Sequence, residues 1–428
     1  MADSGQPALR RRVGLFGATV SGVGVIVGAG VYALIGEVAG IAGGAAWAAF
    51  LLAAVVAGLT GASYARMGRR IPKDSPEFQY VRAGLGFRAG FLAGWLMLWA
   101  DLISAAAVAL GFGGYLHALV GVPTVVAGLG LVAALSLVAW AGIRESLVLV
   151  TALVVLEVGG LVVVAVLGVP HWGEQPLLEM PTGVAGIWTA GALVFFAYIG
   201  FDELGNLAEE MKRPERDLPL AVGLAVAIST ALYVLVAVSA VSLVGWSVLA
   251  GSSAPLAAAV EGVLGAWGWR ALGYIALAAT ASTVLLLLVS ASRSLYGMSN
   301  AGALPGVVAR VGGRGTPWVS TLLIWGVASL FLLLGDIALV AKITNFTALA
   351  SFTLVNVSLW LVLRREPQRP RTRRIARATS ILQPILGAAL CVWLAAATGW
   401  LAIGVGVALG GAGLAIRRWL RPTQLSER

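Results

Sequence analysis

Residues 22–30 read GVGVIVGAG, placing Gly22, Gly24, Gly28 and Gly30 inside a run otherwise apolar enough for a membrane helix. Each glycine in a helix interior costs about 0.8–1 kcal/mol relative to alanine. A spanning helix weakened in this way either packs closely against a neighbour or opens. Gly24 and Gly28 are four residues apart, a spacing that lets membrane helices approach. Opening requires a matching weakness elsewhere in the chain.

The surroundings are those of a membrane protein. Of 428 residues, 59% are hydrophobic and only 11% charged, whereas a soluble domain is about 25% charged. The segment MADSGQPALRRRVGLFG lacks a small-residue cleavage site after a short apolar core, so the first apolar run is expected to stay in the mature protein. A helix needs roughly 20 apolar residues to cross a bilayer. By that measure, spans are expected at 13–35, 41–65, 88–118, 123–141, 145–168, 187–210, 219–246, 269–298, 317–335, 337–363, 380–397 and 400–416. The chain is therefore expected to be one all-α polytopic domain, 1–428, with its function inside the bundle.

Basic residues set the orientation. With the N-terminus inside, all of the 29 lysines and arginines except Arg270 and Lys342 fall on cytoplasmic ends and loops. Arg10 to Arg12, Lys73, Arg144, Arg314 and the loop RREPQRPRTRRIAR carry much of this bias. The outer loop PHWGEQPLLEMPTG has two acids and no base. The net charge of +10 is thus a topology and membrane-surface signal, and no nucleic-acid partner is expected. Both termini are expected in the cytoplasm, and the bilayer is expected to be a cell (inner or plasma) membrane. Cys391 is the single cysteine and His117 and His171 lie far apart, so neither a disulfide nor a metal centre or cofactor is expected.

Charges at membrane depth default to a functional hypothesis. Asp101 lies about 13 residues into its span, Glu157 about 12, and Asp202 and Glu203 about 15, which at 1.5 Å per residue is roughly 18–23 Å from the span's start. No lysine or arginine is expected at that depth. Without a basic partner, a carboxyl group in low dielectric favours its protonated form, which suits a proton carrier. Asp101 and Glu203 are equally open to a structural reading, held by neighbouring hydroxyls or backbone. Glu209 and Glu210 sit beside Lys212 and Arg213 at the inner end of the sixth span and read as an interfacial ion-pair cluster.

The counterpart to the glycine run is in the sixth span. Phe195 to Gly200, FFAYIG, mixes bulky aromatics with a glycine. Spans one and six are five apart, so a five-span inverted repeat places them in corresponding positions. Two such interrupted spans point to a secondary transporter with its substrate site where the helices unwind. Unwound backbone is tolerated at that depth because it lines a cavity.

These stretches resemble a known family. GVIVGAGVYALIGEVAG is similar to the first-helix glycine motif of the amino acid–polyamine–organocation (APC) permeases. FFAYIGFDELGNLAEEMKRPERDLPLA closely matches their sixth-helix signature, and SSAPLAAAV at 252–260 and TNF at 344–346 are weaker matches. The resemblance covers nearly the whole chain. It implies a LeuT-type fold of two inverted five-helix repeats, about 13–168 and 187–363, with trailing helices at about 380–416. It implies a secondary active transporter that imports or exchanges amino acids by symport or antiport.

Carried over residue by residue, the resemblance gives the first break, Ile26, Val27, Gly28, Ala29 and Gly30, the task of holding a substrate carboxylate through backbone N–H groups. The sixth-span backbone, Phe196, Ala197, Tyr198, Ile199 and Gly200, receives the ammonium. Phe196 matches a gating aromatic and Asp202 an acid linked to proton response. Some relatives carry a lysine in the fifth helix as the proton-linked group, where this chain has Glu157. A carboxylate carries a proton as a neutral acid. It also suits Na⁺ as an oxygen ligand together with Thr280, Ser282 or Thr283, and protons are the favoured reading of the two. Phe195, Phe196, Tyr198 and Phe201 are expected to supply bulk and cation–π contact to the cavity.

The substrate is expected to be an amino acid or an amine, a polyamine or cationic amino acid being the alternative. A non-transporting sensor ranks below transport for want of a signalling domain. A membrane enzyme ranks lower still, because no nucleophile–base pair is present in the spans. The oligomeric state is left open.

Overall fold

The computed structural model describes residues 13–71, 75–141, 147–300, 304–312, 317–365 and 374–424. Arg10 to Arg12, Lys73, Arg144, Arg314 and most of the basic loop after Arg365 lie outside the described residues, as do the side chains of Glu209 and Glu210. The described chain is helical: α1 Leu15–Ile26, α2 Gly30–Ala42, α3 Ala46–Gly68, α4 Pro76–Leu85, α5 Phe87–Val120, α6 Thr124–Ala141, α7 Leu147–Gly168, α8 Val184–Val194, α9 Pro214–Val244, α10 Trp246–Gly251, α11 Pro255–Asn300, α12 Trp318–Leu332, α13 Ile337–Arg365, α14 Arg374–Ala396 and α15 Trp400–Gln424. Among the described residues 7 helical runs are long and apolar enough, by length and composition, to cross a membrane.

Helices overlap each of the expected segments, with differences at the ends and inside the sixth. The first does not stop at 35, because α2 runs to Ala42 and Gly43, at φ 65°, turns the chain into α3. The eighth begins upstream of 269, since α11 starts at Pro255 and kinks at Gly265 (φ 64°). The sixth is α-helical for only 11 residues.

α5 is the hub. Its middle is buried over several turns, and α11 and α13 pack along it while α3 and α1 pack on α9. Apolar burial does little to hold helices together in lipid, so close approach and interhelical hydrogen bonds matter more. Both are present at the trailing helices. On α14, Gln383 Nε2 donates to Leu59 O (2.6 Å) and Ser63 Oγ (2.9 Å) of α3. Ser63 Oγ in turn donates to Asn356 Oδ1 of α13 at 2.6 Å. On α15, Leu409 O accepts from Trp95 Nε1 of α5 at 2.9 Å, and a Cβ on Gly413 would meet the Trp95 ring.

Candidate functional site: two broken helices and buried acids

The first break falls at Val27 to Ala29, between α1 and α2. Val27 N still bonds Val23 O (2.7 Å), and the first bond of α2 runs from Ala33 N to Ala29 O (2.9 Å). Gly30, Val31 and Tyr32 therefore supply the orphan first-turn donors of α2. Ala29 N donates to Thr283 Oγ1 of α11 at 3.2 Å. The glycines divide by partner. A Cβ on Gly22 would meet Leu204 and Ala225, and one on Gly24 would stand 2.9 Å from Val154 of α7. Gly28 faces the Thr283 hydroxyl, and a Cβ on Gly30 would come within 2.7 Å of Ala197 Cα.

The second break follows α8. Phe195–Tyr198 forms a short 3₁₀ turn, Ile199 is extended, and Gly200 adopts φ 124°, a conformation that favours glycine. Asp202 Oδ1 accepts from Gly200 N at 2.9 Å, fixing the turn that opens the following 3₁₀ segment, Phe201–Glu210. On the other side, Asn345 of α13 donates from Nδ2 to Ala192 O (2.7 Å) and Leu193 O (2.8 Å), satisfying carbonyls near the end of α8.

The two breaks touch. Besides Gly30 against Ala197, a Cβ on Gly200 would stand 3.0 Å from Val25 O. The hydroxyl of Tyr233 on α9 lies 2.6 Å from Ile26 O and 2.9 Å from Ala197 O, between one carbonyl of each break. Three of the four expected cavity aromatics are drawn into packing. Tyr198 directs its hydroxyl to Phe50 O (3.1 Å), Phe195 packs on Phe352, and Phe201 packs on Tyr64 and Phe352. Phe196 is not among these ring pairs.

Glu157 is buried on α7, and its Oε1 accepts from Ser282 Oγ of α11 at 2.5 Å. Its backbone carbonyl receives the Tyr32 hydroxyl of α2 at 2.6 Å. Of the oxygen set expected for Na⁺, Ser282 meets Glu157 and Thr283 meets Ala29, while Thr280 bonds back to Ala276 O of its own helix at 2.7 Å.

Asp101 and Asp202, also buried, belong to a second group away from Glu157. Asp101 on α5 interacts electrostatically with Glu203, Asp202 and Glu77, and Ser290 Oγ donates to Glu203 Oε1 at 3.3 Å. Glu77 comes from α4, in the loop between α3 and α5. Its Oε1 accepts from Tyr64 Oη at 3.0 Å. Burial, followed by the negative charge of Asp202, pushes the Glu77 carboxyl up to about 8.

Sequence reasoning missed Tyr233, Asn345 as a cap, and Glu77. Asn345 left a signal, a polar side chain in an apolar span within the TNF match. Glu77 and Tyr233 left none that separates them from a loop charge and a buried aromatic.

An all-helical membrane protein whose first and sixth apolar segments break and meet has the layout of a secondary transporter. The amino acid permease family matches residues 13–410, and the chain belongs to that family, within the APC superfamily. It is a transporter-family protein rather than an enzyme. It is similar to a branched-chain amino acid permease of Bacillus subtilis, 30% identical over 434 residues, covering 94% of this chain and 91% of the relative. It is similar to a methylthioribose transporter of Bacillus subtilis, 28% identical with 96% and 94% covered. It also resembles a vacuolar cationic amino acid transporter of Arabidopsis thaliana, 31% identical with 85% and 65% covered.

Proposed function

We propose that this permease moves an amino acid across a cell membrane by alternating access, driven by protons. The observation that carries the reading is the direct contact of the two breaks, Gly30 on Ala197 and Tyr233 between Ile26 and Ala197. The first-turn donors of α2 sit at the positive end of a helix dipole and suit a carboxylate. The carbonyls released between Phe196 and Ile199 suit an ammonium. Twelve spans, with 13–168 and 187–363 as inverted repeats, 380–416 trailing and both termini cytoplasmic, complete the proposed arrangement.

Glu157 is the proposed proton carrier. It is buried, and its one side-chain hydrogen-bond partner among the described residues, Ser282, is neutral. Sodium is the weaker reading, because the Thr280 hydroxyl bonds back to Ala276 O of its own helix and a hard cation takes several oxygen ligands. The relatives' names span branched-chain and cationic amino acids and a thiosugar, so the proposal stops at the amino acid class, with a cationic substrate or amine as the alternative. Uptake into proteoliposomes under imposed proton or sodium gradients tests it. Accumulation of an amino acid under a proton gradient is expected. Failure of every amino acid to accumulate or exchange under either gradient would sink the reading.

A further inference from the structure

Three helix ends of the bundle bring arginines to one place. Arg88 is in the first turn of α5, whose Gly86 cap supplies no side-chain oxygen. Arg417 and Arg418 end the described side chains of α15. With Leu414 these three line a cavity of about 400 Å³. The Phe87 ring ties Arg82 of α4 to the group, with Arg417 Cζ 4.7 Å and Arg82 Cζ 5.5 Å from its centroid. Arg417 also sits over Phe91 at 5.7 Å.

This is a dense concentration of positive charge. Arg82, Arg88 and Arg418 have no ion-pair partner among the described residues. Like charges gathered in this way repel unless an anion joins them. Cation–π contact with Phe87 and Phe91 restrains the Arg417 side chain, which lowers the ordering cost of a bidentate contact. The anchor of α15 to α5 through Trp95, Leu409 and Gly413 keeps both ends in register.

We propose that this cavity binds the phosphate of an anionic phospholipid headgroup from the surrounding leaflet. Guanidinium groups match phosphate oxygens bidentately, and the uncapped first-turn N–H groups of α5 add a dipole of the right sign. The apolar neighbours favour a lipid over a free anion: Leu414, which lines the cavity, is 45% exposed and Phe87, beside Arg417, is 38% exposed, a border suited to acyl chains. The inference rests on the chain being a membrane protein and is independent of the substrate and of the coupling ion.

The test uses the purified full chain in neutral detergent. Retention of added phosphatidylglycerol, phosphatidylcholine and inorganic phosphate is followed by native mass spectrometry and by the thermal midpoint from tryptophan fluorescence. Phosphatidylglycerol is expected to be retained in preference to phosphatidylcholine and to raise the midpoint. The triple variant Arg88→Gln, Arg417→Gln, Arg418→Gln is expected to weaken that retention at least about tenfold. If the triple variant does not insert, the single variants Arg88→Gln and Arg418→Gln are expected to weaken it in part. Equal retention of both lipids, unchanged retention in the variants, or an equal midpoint shift with inorganic phosphate alone would overturn the proposal. Amino acid uptake in vesicles of phosphatidylcholine alone reports on transport separately, so failure of one reading leaves the other standing.

Discussion

Ser282 on α11 donates to Glu157 on α7 at 2.5 Å, a charge-neutral contact to a buried carboxyl group that has no basic partner among the described residues. A group that must gain and lose a proton during a cycle needs such a partner, since a fixed arginine or lysine would hold it ionised. Glu157→Gln keeps the acceptor oxygen for Ser282 and removes the titration. The expected result is exchange of preloaded amino acid at near wild-type rate with gradient-driven accumulation lost. Proteoliposome counterflow and proton-driven uptake, measured side by side, separate the two. Normal accumulation in Glu157→Gln would make the residue structural.

Tyr233 ties the breaks with one hydroxyl. Tyr233→Phe keeps the ring contacts to Phe50 and Tyr198 and strands Ile26 O and Ala197 O without their donor. Leaving a buried acceptor unsatisfied costs about 1–3 kcal/mol. A lower thermal midpoint and slower uptake are therefore expected, with membrane insertion intact. A midpoint equal to wild type would mean that water or relaxation replaces the hydroxyl.

Gly30 and Gly24 make a matched pair. Added bulk at Gly30 meets backbone, Ala197 Cα at 2.7 Å, whereas at Gly24 it meets the side chain of Val154 at 2.9 Å. A side chain rotates away and a backbone in mid-break does not. Gly30→Leu is expected to abolish substrate-induced thermal stabilisation in a correctly inserted protein, and Gly24→Ala to leave most of it. Equal effects at both positions would remove Gly30 from the site.

The two breaks were legible because each weakens its helix locally: four glycines in nine residues at the first, and Gly200 after a crowded aromatic turn at the second. Local signals also marked Glu157 and Asp202, whose charge is out of place in an apolar run. Tyr233 was not legible, since its role depends on partners at Ile26 and Ala197 far away in sequence, and nothing in ALYVLVAV sets it apart from a packed aromatic. The packing of three sixth-span aromatics was hidden for a related reason. Once the helix unwinds, its periodicity no longer tells which side chains face the cavity, and Phe195, Tyr198 and Phe201 turn into the protein. Glu77 gave no signal in the sequence, because burial of α4 against the bundle is a tertiary event.

That burial has a consequence for pH. Glu77 has its carboxyl raised from the usual 4.5 to about 8 in the folded protein, first by burial and then by the charge of Asp202. Below about 4.5 both folded and unfolded chains hold the proton, and stability does not change on its account. Between about 4.5 and 8 the unfolded chain has released it and the folded chain retains it, so the folded state binds more protons and loses stability as pH rises. Above about 8 both have released it, and the deficit stays constant, on the order of a few kcal/mol. Glu77→Gln keeps the acceptor for the Tyr64 hydroxyl and removes the titration. Thermal midpoints measured from pH 5 to pH 9 are expected to decline in the wild type and to flatten in Glu77→Gln, with the largest gain for the variant at the alkaline end. Parallel curves would show that water reaches Glu77 and screens it.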